Sequence, residues 1–158
     1  MTERDPQLEQ DLFGILEMVL QSYLGMAPVP MAADEHRGNR ELWIGSVGMT
    51  GGFNGAVTLS CSREFATHAA HAVFGGETVA EEEGARDVVG ELTNMLGGNV
   101  KCLLAASTGM HSQLSLPMVS SGEVVVPGTR IVTQCWVRCG SEPLGLTLYE
   151  ARASAKAS

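Results

Sequence analysis

The sequence lacks an excess of basic residues and long apolar runs, and each absence excludes a class of function. Its 10 Lys and Arg residues stand against 18 Asp and Glu residues, which gives a net charge of −8 at pH 7. Because nucleic-acid-binding proteins usually carry a basic patch, this charge argues against a nucleic-acid partner. No apolar run approaches the length of about 20 residues that a membrane-spanning helix requires, so we expect no membrane insertion.

Common catalytic and redox motifs are also absent. The sequence contains no C-x-x-C, G-x-x-x-x-G-K-[ST], G-x-S-x-G or H-E-x-x-H segment. The first ten residues have no basic segment followed by an apolar stretch, so we expect no signal peptide. The chain is therefore predicted to be cytoplasmic, with reduced and partly buried thiols at its four cysteines, Cys61, Cys102, Cys135 and Cys139.

Two residue pairs could suggest a metal or redox site, but surface and core roles are favoured for them. His68 and His71 are three residues apart in a predicted helix, where both imidazoles could share a face. A metal would need at least one further ligand, and none lies at a suggestive spacing, so we predict surface histidines and no metal site. Cys135 and Cys139 are four apart in a predicted strand, which places both thiols on one face as core residues.

The pattern of apolar residues and turn signals predicts one α+β domain over residues 1–150 and a disordered tail over residues 151–158. The chain order predicts a mainly antiparallel sheet packed against helices, in two faintly similar halves. The predicted elements are a helix from Asp5-Pro6 to Gly25, a loop over 26–40, a strand hairpin over 42–49 and 55–61, a helix from Ser62 to Gly75-Gly76, a long helix over 81–106, and strands over 113–119, 129–139 and 144–150.

The long helix carries a polar stripe, which is the most informative feature of the chain. Asp87, Glu91, Asn94 and Pro117 stand at the spacing D-x₃-E-x₂-N-x₂₂-P, and the first three share one helix face. A chance match of this spacing in the chain has a probability on the order of 10⁻³. On a helical wheel, the opposite face is apolar and comprises Val89, Leu92, Leu96, Val100 and Leu103. The stripe therefore presents a carboxylate and a carboxamide to a docked partner.

Glycines in the same helix are costly, at about 1 kcal/mol each relative to alanine. We interpret Gly84 as a helix end, because Asp87 would suit a first helical turn. Gly98 lies on the polar face, where two interpretations stay open. It could provide a low surface for the close approach of a partner, or it could be one of the glycines that mark a helix end.

The stripe resembles the signature [D/S]-x₃-E-x₂-N-x₂₂-P of the CheC/CheX/FliY family of chemotaxis phosphatases. The segment GELTNMLGGN resembles the active-site helix of that family, and GFNGAVTLSCSREFATHAAHAVFGG resembles the strand and helix before it. In the first helix, Asp5 and Glu9 have the signature spacing, but Leu12 stands where an Asn is required, and no proline follows at the required distance. The resemblance therefore implies one site, as in CheX-like members, and a homodimer, which is typical of that type.

Members of this family hydrolyse the phosphoaspartate of CheY-like response regulators. The resemblance implies that Asn94 orients the attacking water and that Glu91 pairs with the active-site lysine of the regulator. It also implies that the regulator supplies Mg²⁺ and that this chain binds no cofactor. Phosphoryl transfer needs mainly an oriented nucleophile and charge stabilisation, and a carboxamide can donate and accept hydrogen bonds without titrating. In supporting roles, Asp87 is expected to cap or steady the helix, and Pro117 to shape the start of a strand.

Two alternatives remain open at this point. The chain could be a non-catalytic binding module that docks or sequesters a response regulator or a chemotaxis adaptor. It could also be a structural dimeric subunit that has kept the signature by descent. Both remain open because a fold does not fix a function.

Overall fold

The computed structural model describes residues 5–32, 42–75, 81–122 and 126–153. These residues form three helices and seven strands. In chain order the elements are α1 (Pro6–Leu24), β1 (Val29–Pro30), β2 (Leu42–Gly51), β3 (Gly55–Ser62), α2 (Arg63–Phe74), α3 (Glu81–Thr108), β4 (Ser112–Leu114), β5 (Met118–Ser121), β6 (Thr129–Cys139) and β7 (Glu142–Ala151).

The ends of the first two helices follow the predicted capping signals. The Asp5 carboxylate accepts hydrogen bonds from the first-turn amides of α1, and Ser62 Oγ accepts one from the backbone N–H of Phe65 in α2. Such caps satisfy N–H groups that have no partner inside the helix. Gly25 and Gly75 end the two helices with φ of 67° and 73°, a left-handed conformation that favours glycine. These predictions are confirmed.

The strands form one antiparallel sheet in the order β1-β6-β7-β3-β2-β4, with β5 also paired to β2. The sheet contains two related halves, α1-β1-β2-β3 and α3-β4/β5-β6-β7. In each half, the strand segment that follows the first helix pairs with the hairpin of the other half. Strand β1 pairs with β6 of the β6–β7 hairpin, and β4 and β5 pair with β2 of the β2–β3 hairpin. The central neighbours are β3 and β7. The α+β class, the antiparallel sheet and the pseudo-symmetric halves are therefore as predicted.

A single hydrophobic core joins the sheet to all three helices. It includes fully buried leucines from α1, α3, β3 and β7, namely Leu12, Leu16, Leu20, Leu59, Leu92, Leu96, Leu144 and Leu146. Burial of a leucine side chain contributes about 1.5–3 kcal/mol, so this core is the main source of stability. Four members of the predicted apolar face of α3 are buried as expected, and the fifth, Leu103, is only partly buried.

Two glycines set how closely α3 lies on β2. A Cβ added at Gly45 of β2 would overlap the hydroxyl of Thr93, which is itself fully buried. A Cβ added at Gly97 of α3 would lie 2.6 Å from Val47 Cγ2. Because both positions lack a side chain, α3 packs tightly on the sheet and its rotation about its own axis is fixed. That rotation decides which residues face solvent.

The edge of the sheet beyond β2 differs from the prediction. One strand was expected over residues 113–119, but the chain forms the two short strands β4 and β5, separated by residues 115–117. Pro117 immediately precedes β5, which agrees with its predicted place at the start of a strand. A proline has no N–H for the strand ladder, so it is tolerated at such an interruption.

Three smaller predictions also need correction. Gly84 does not mark a helix end, because α3 begins by Glu81 and Gly84 is buried within it. The predicted loop over 26–40 contains β1, and its residues 33–40 lie outside the described residues. Strand β7 continues to Ala151, the first residue of the predicted tail, and residues 154–158 lie outside the described residues.

Candidate functional site

The polar stripe of α3 is exposed as the helical wheel predicts. Asp87, Glu91 and Asn94 are all exposed, whereas Leu92 and Thr93 between them are buried. The Thr93 hydroxyl donates a 2.6 Å hydrogen bond to the carbonyl oxygen of Val89, which satisfies its polar group inside the core. The buried face therefore holds the helix while Glu91 and Asn94 point away from the core.

An open groove of about 480 Å³ lies between this helix face and the edge of the sheet. Its helix wall contains the signature residues, and its other wall is formed by the segment around Pro117. The lining residues are Arg86, Asp87, Gly90, Glu91, Asn94, Leu116, Pro117 and Val119. The four residues of the predicted signature thus meet in one groove, although Pro117 is far from the others in sequence.

The sheet wall of the groove contains a β-bulge. Met49 of β2 pairs with Leu114, and Ser46 of β2 pairs with Met118. The two intervening residues of β2 (47 and 48) therefore lie opposite three residues of the edge segment (115 to 117). Such an extra residue locally bends a strand and re-aims its side chains. Here it places Leu116 and Pro117 in the groove wall.

Arg86 connects the two walls. Its Nη1 donates a 2.9 Å hydrogen bond to the carbonyl oxygen of Val119 on β5. Its guanidinium carbon also lies 5.5 Å from the ring centroid of Trp43, within the range of a cation–π contact. Arg63 at the start of α2 lies over the same ring at 5.9 Å. Arg86 therefore helps to fix the distance between α3 and the Leu116–Pro117 wall.

Tyr23 near the end of α1 is electrostatically coupled to the site. Burial raises the pKa of its phenol, and the negative charge of Glu91 raises this pKa further. Both effects raise the pKa because each disfavours the charged phenolate. The C-terminal part of α1 therefore lies near the Glu91 carboxylate of α3.

Two of the predicted supporting residues, Asp87 and Gly98, differ in their surroundings. Asp87 lies nearly two turns inside α3, so it does not cap the N-terminus of this helix, contrary to one of its expected roles. It lines the groove instead. A Cβ added at Gly98 would meet no atom within 4 Å, so nothing within the described chain requires a glycine there. Of these two adjacent glycines, Gly97 is the one in tight contact, with Val47.

Arg86, Leu116 and Tyr23 were not predicted from the sequence as parts of this region. Arg86 is one residue before Asp87, and Leu116 is one residue before Pro117, so adjacency to the signature was an available signal. Nothing in the sequence indicated Tyr23, because its proximity depends on how α1 packs against α3. Each of these contacts joins elements that are distant along the chain.

The histidine pair and the buried cysteines do not form a metal site or a reactive thiol site within the described residues. His68 and His71 are exposed on α2, and across the described ranges no group of three or more His, Cys, Asp or Glu residues could hold a metal. All four cysteines are free, and burial raises the pKa of Cys61 to about 12. Cys135 and Cys139 are both buried in the core, as predicted from their shared strand face. Buried thiols with raised pKa values are poor nucleophiles.

The fold and the groove define an α+β protein that exposes a carboxylate and a carboxamide in one surface groove. Within the described residues, no helix is both long and apolar enough to cross a membrane. Residues 43–128, more than half of the chain, match the family described as chemotaxis phosphatase CheX. The chain belongs to this family. No curated protein matches the sequence.

Solved structures show the same fold. CheX from Desulfovibrio desulfuricans subsp. is similar with a TM-score of 0.71 and 20% identity, over 90% of this chain and 97% of that chain. CheX from Vibrio vulnificus gives a TM-score of 0.71 and 20% identity, over 95% and 100% of the two chains. A CheX–CheY–BeF₃–Mg²⁺ complex from Borrelia burgdorferi contains a chain similar with a TM-score of 0.67 and 16% identity, over 91% and 97%.

Proposed function

We propose that this protein hydrolyses the phosphoaspartate of a CheY-like response regulator, with Asn94 and Glu91 as the residues that act on it. The observation that carries the proposal is the exposure of both side chains in one groove on a rigidly packed helix. Membership of the CheX family supports the reaction class. The Borrelia burgdorferi complex, in which a CheX is bound to CheY, supports a regulator as the partner.

In this reaction a water oxygen forms a bond to phosphorus while the bond from phosphorus to the aspartyl oxygen breaks. The products are inorganic phosphate and the free carboxylate of the regulator. Asn94 orients the water, because its amide can accept a hydrogen bond from the water and donate one to a phosphoryl oxygen. A carboxamide does this at any physiological pH, since it does not titrate.

Glu91 fixes the docking geometry. Its exposed carboxylate lies one helical turn before Asn94, so a lysine of the regulator that pairs with Glu91 brings the phosphoryl group toward Asn94. The Mg²⁺ ion comes from the regulator, where it neutralises charge on the phosphoryl oxygens. Of this chain the mechanism requires an oriented amide, a carboxylate and a shape that admits the regulator.

The test is the rate at which a CheY-like regulator from the same organism loses its phosphate, with and without this protein. Wild-type protein is expected to accelerate the loss, and Asn94→Ala is expected to lower kcat about 100-fold with little change in binding. Asn99→Ala is a matched control. It lies on the same helix, but its side-chain nitrogen donates to the carbonyl oxygen of Met95, so it should retain activity.

Two results would contradict the proposal. Full activity of Asn94→Ala would remove the water-orienting role from this residue. Binding of the regulator by folded wild-type protein without any acceleration of phosphate loss would favour the non-catalytic binding module. Circular dichroism of each variant, compared with wild type, verifies that a loss of activity does not reflect unfolding.

A further inference from the structure

The bulged segment that faces Asn94 presents an apolar side chain to solvent at the groove. Leu116 is 86% exposed, the largest exposed fraction among the large apolar residues of the described chain. A single exposed leucine is common on protein surfaces and needs no function by itself. The position of this one is unusual because it lines the same groove as Glu91 and Asn94.

The backbone on either side of Leu116 is firmly held. Gly48 and Ser115 exchange two hydrogen bonds, from Gly48 N to Ser115 Oγ at 2.8 Å and from Ser115 N to Gly48 O at 2.9 Å. Ser115 Oγ also donates to the carbonyl oxygen of Leu116 at 3.2 Å. After Pro117, the chain rejoins β2 through Met118. Leu116 is therefore not at the tip of a loose loop.

The side-chain directions show what the bulge does. Leu114 and Val119 both pack against the core beneath α3, although they are five residues apart. In a regular strand, residues separated by an odd number point to opposite faces. The extra residue of the bulge shifts the alternation by one, so Leu114 and Val119 can point to the same face. It also places Leu116 and Pro117 at the groove. Without the bulge, Val119 would turn away from α3.

The two walls of the groove also differ in chemistry. The helix wall carries the carboxylates of Asp87 and Glu91 and the guanidinium of Arg86, which is engaged by the carbonyl oxygen of Val119 and the ring of Trp43. The sheet wall is apolar at Leu116, Pro117 and Val119. A partner that seats a phosphoryl group at Asn94 within this groove lies against Leu116 and Pro117, which line it as well. The partner surface that fits has a basic group for the helix wall and an apolar group for the sheet wall.

We propose that Leu116 is a partner-contact residue, which packs against an apolar side chain beside the phosphoaspartate and the lysine of the response regulator. This inference rests on the proposed function and adds a second contact surface to it. Glu91 supplies the charged half of recognition and Leu116 the apolar half. Regulators with a polar side chain at the facing position would bind more weakly, so Leu116 selects among them.

The experiment compares Leu116→Ser and Ile131→Ser in the phosphate-release assay, with a CheY-like regulator from the same organism, phosphorylated by acetyl phosphate, as substrate. Leu116→Ser is expected to raise KM about tenfold and leave kcat unchanged, because it removes an interaction made equally in the ground and transition states. Leu116→Met, which keeps an apolar side chain, should retain the wild-type KM. Ile131 is 51% exposed and lies on β6, with β7, β3 and β2 between it and β5, so Ile131→Ser should change neither constant.

The outcomes separate this inference from the proposed function. If wild-type protein accelerates phosphate loss and Leu116→Ser has the wild-type KM, the apolar contact is wrong and the phosphatase stands. If wild-type protein accelerates no regulator, the function and the contact both fall. A lowered kcat in Leu116→Ser, with KM unchanged, would also overturn the contact role. Because Leu116 is exposed, each variant should melt within a few degrees of wild type, which a thermal scan verifies.

Discussion

Helices α1 and α3 occupy equivalent places in the two halves of the sheet, but they present different residues to solvent. In α3 the third signature position is Asn94, which is exposed, whereas at the matching spacing in α1 it is Leu12, which is completely buried. The first position differs as well, because Asp5 caps α1 while Asp87 lies inside α3. Residues at the same spacing therefore have different roles in the two halves. In α1 they cap the helix and pack in the core, whereas in α3 they line the groove.

The edge strands extend this difference. The strand that follows α1 is the two-residue β1, whereas α3 is followed by β4, a bulge and β5. The second half thus builds a wall opposite its polar stripe, and Arg86 ties that wall to the helix. The signature therefore becomes a groove only where a helix face and a sheet edge are held facing each other.

The largest effect is expected where the missing Asn of the signature is introduced in the first half. Leu12→Asn restores the residue type at the matching spacing, but it places an amide in the core. We expect a loss of about 4 kcal/mol in the free energy of unfolding, from lost apolar burial and an unsatisfied polar group. Urea denaturation measures this, with the exposed Gln10→Asn as control. Wild-type stability together with a second active site would show that spacing alone suffices.

A second test uses the two adjacent glycines of α3. Gly97→Ala places a Cβ against Val47, and the overpacking of about 2 kcal/mol exceeds the gain of about 1 kcal/mol in helix propensity. Gly98→Ala meets no atom within 4 Å and should gain about 1 kcal/mol. Thermal or urea unfolding of both variants should therefore show opposite signs.

Gly98→Ala also tests close approach of the regulator. If the partner backbone comes near this position, the variant should raise KM while it stabilises the free protein. An unchanged KM would contradict the close-approach interpretation; Gly98 does not mark a helix end, because α3 continues to Thr108.

The third test compares the two glutamates of the signature spacing. Glu91→Gln removes the charge that pairs with the regulator lysine, so we expect KM to rise about tenfold and the salt dependence of KM to weaken. Glu9→Gln in α1 should leave both unchanged, because Glu9 lies outside the groove. Steady-state kinetics at two salt concentrations measure this effect. Equal behaviour of the two variants would contradict the assignment of Glu91 to docking.

The smallest expected effect is on Tyr23, where α1 approaches α3. The negative charge of Glu91 raises the pKa of this phenol, so Glu91→Gln should lower it. The pKa should stay above its ordinary value of 10.0, because burial is the larger cause and persists. Ultraviolet titration of the phenolate measures the shift, and Tyr23→Phe isolates the signal of Tyr149. A rise in the pKa would contradict the coupling.

Most of the fold was predictable because its signals are local. Capping by Asp5 and Ser62, the glycine ends of α1 and α2 and the bounds of β6 agree with the sequence-based predictions. The polar and apolar faces of α3 followed from its periodicity. Predictions failed at Gly84 and over residues 113–119, where packing under α3 and pairing with β2 override local preference. The homodimer stays a prediction, which light scattering can test.

The sequence by itself determined the polar stripe of α3, the class of fold and the family resemblance, since helix periodicity and residue spacing are properties of a short segment. Only the tertiary structure decided that Pro117 faces the stripe, that Arg86 joins the walls and that Leu116 lies exposed beside Asn94. These features depend on the register between β2 and a bulged edge segment about 70 residues away in the chain. Register is set by pairing across the sheet, and no local pattern in the edge segment encodes it.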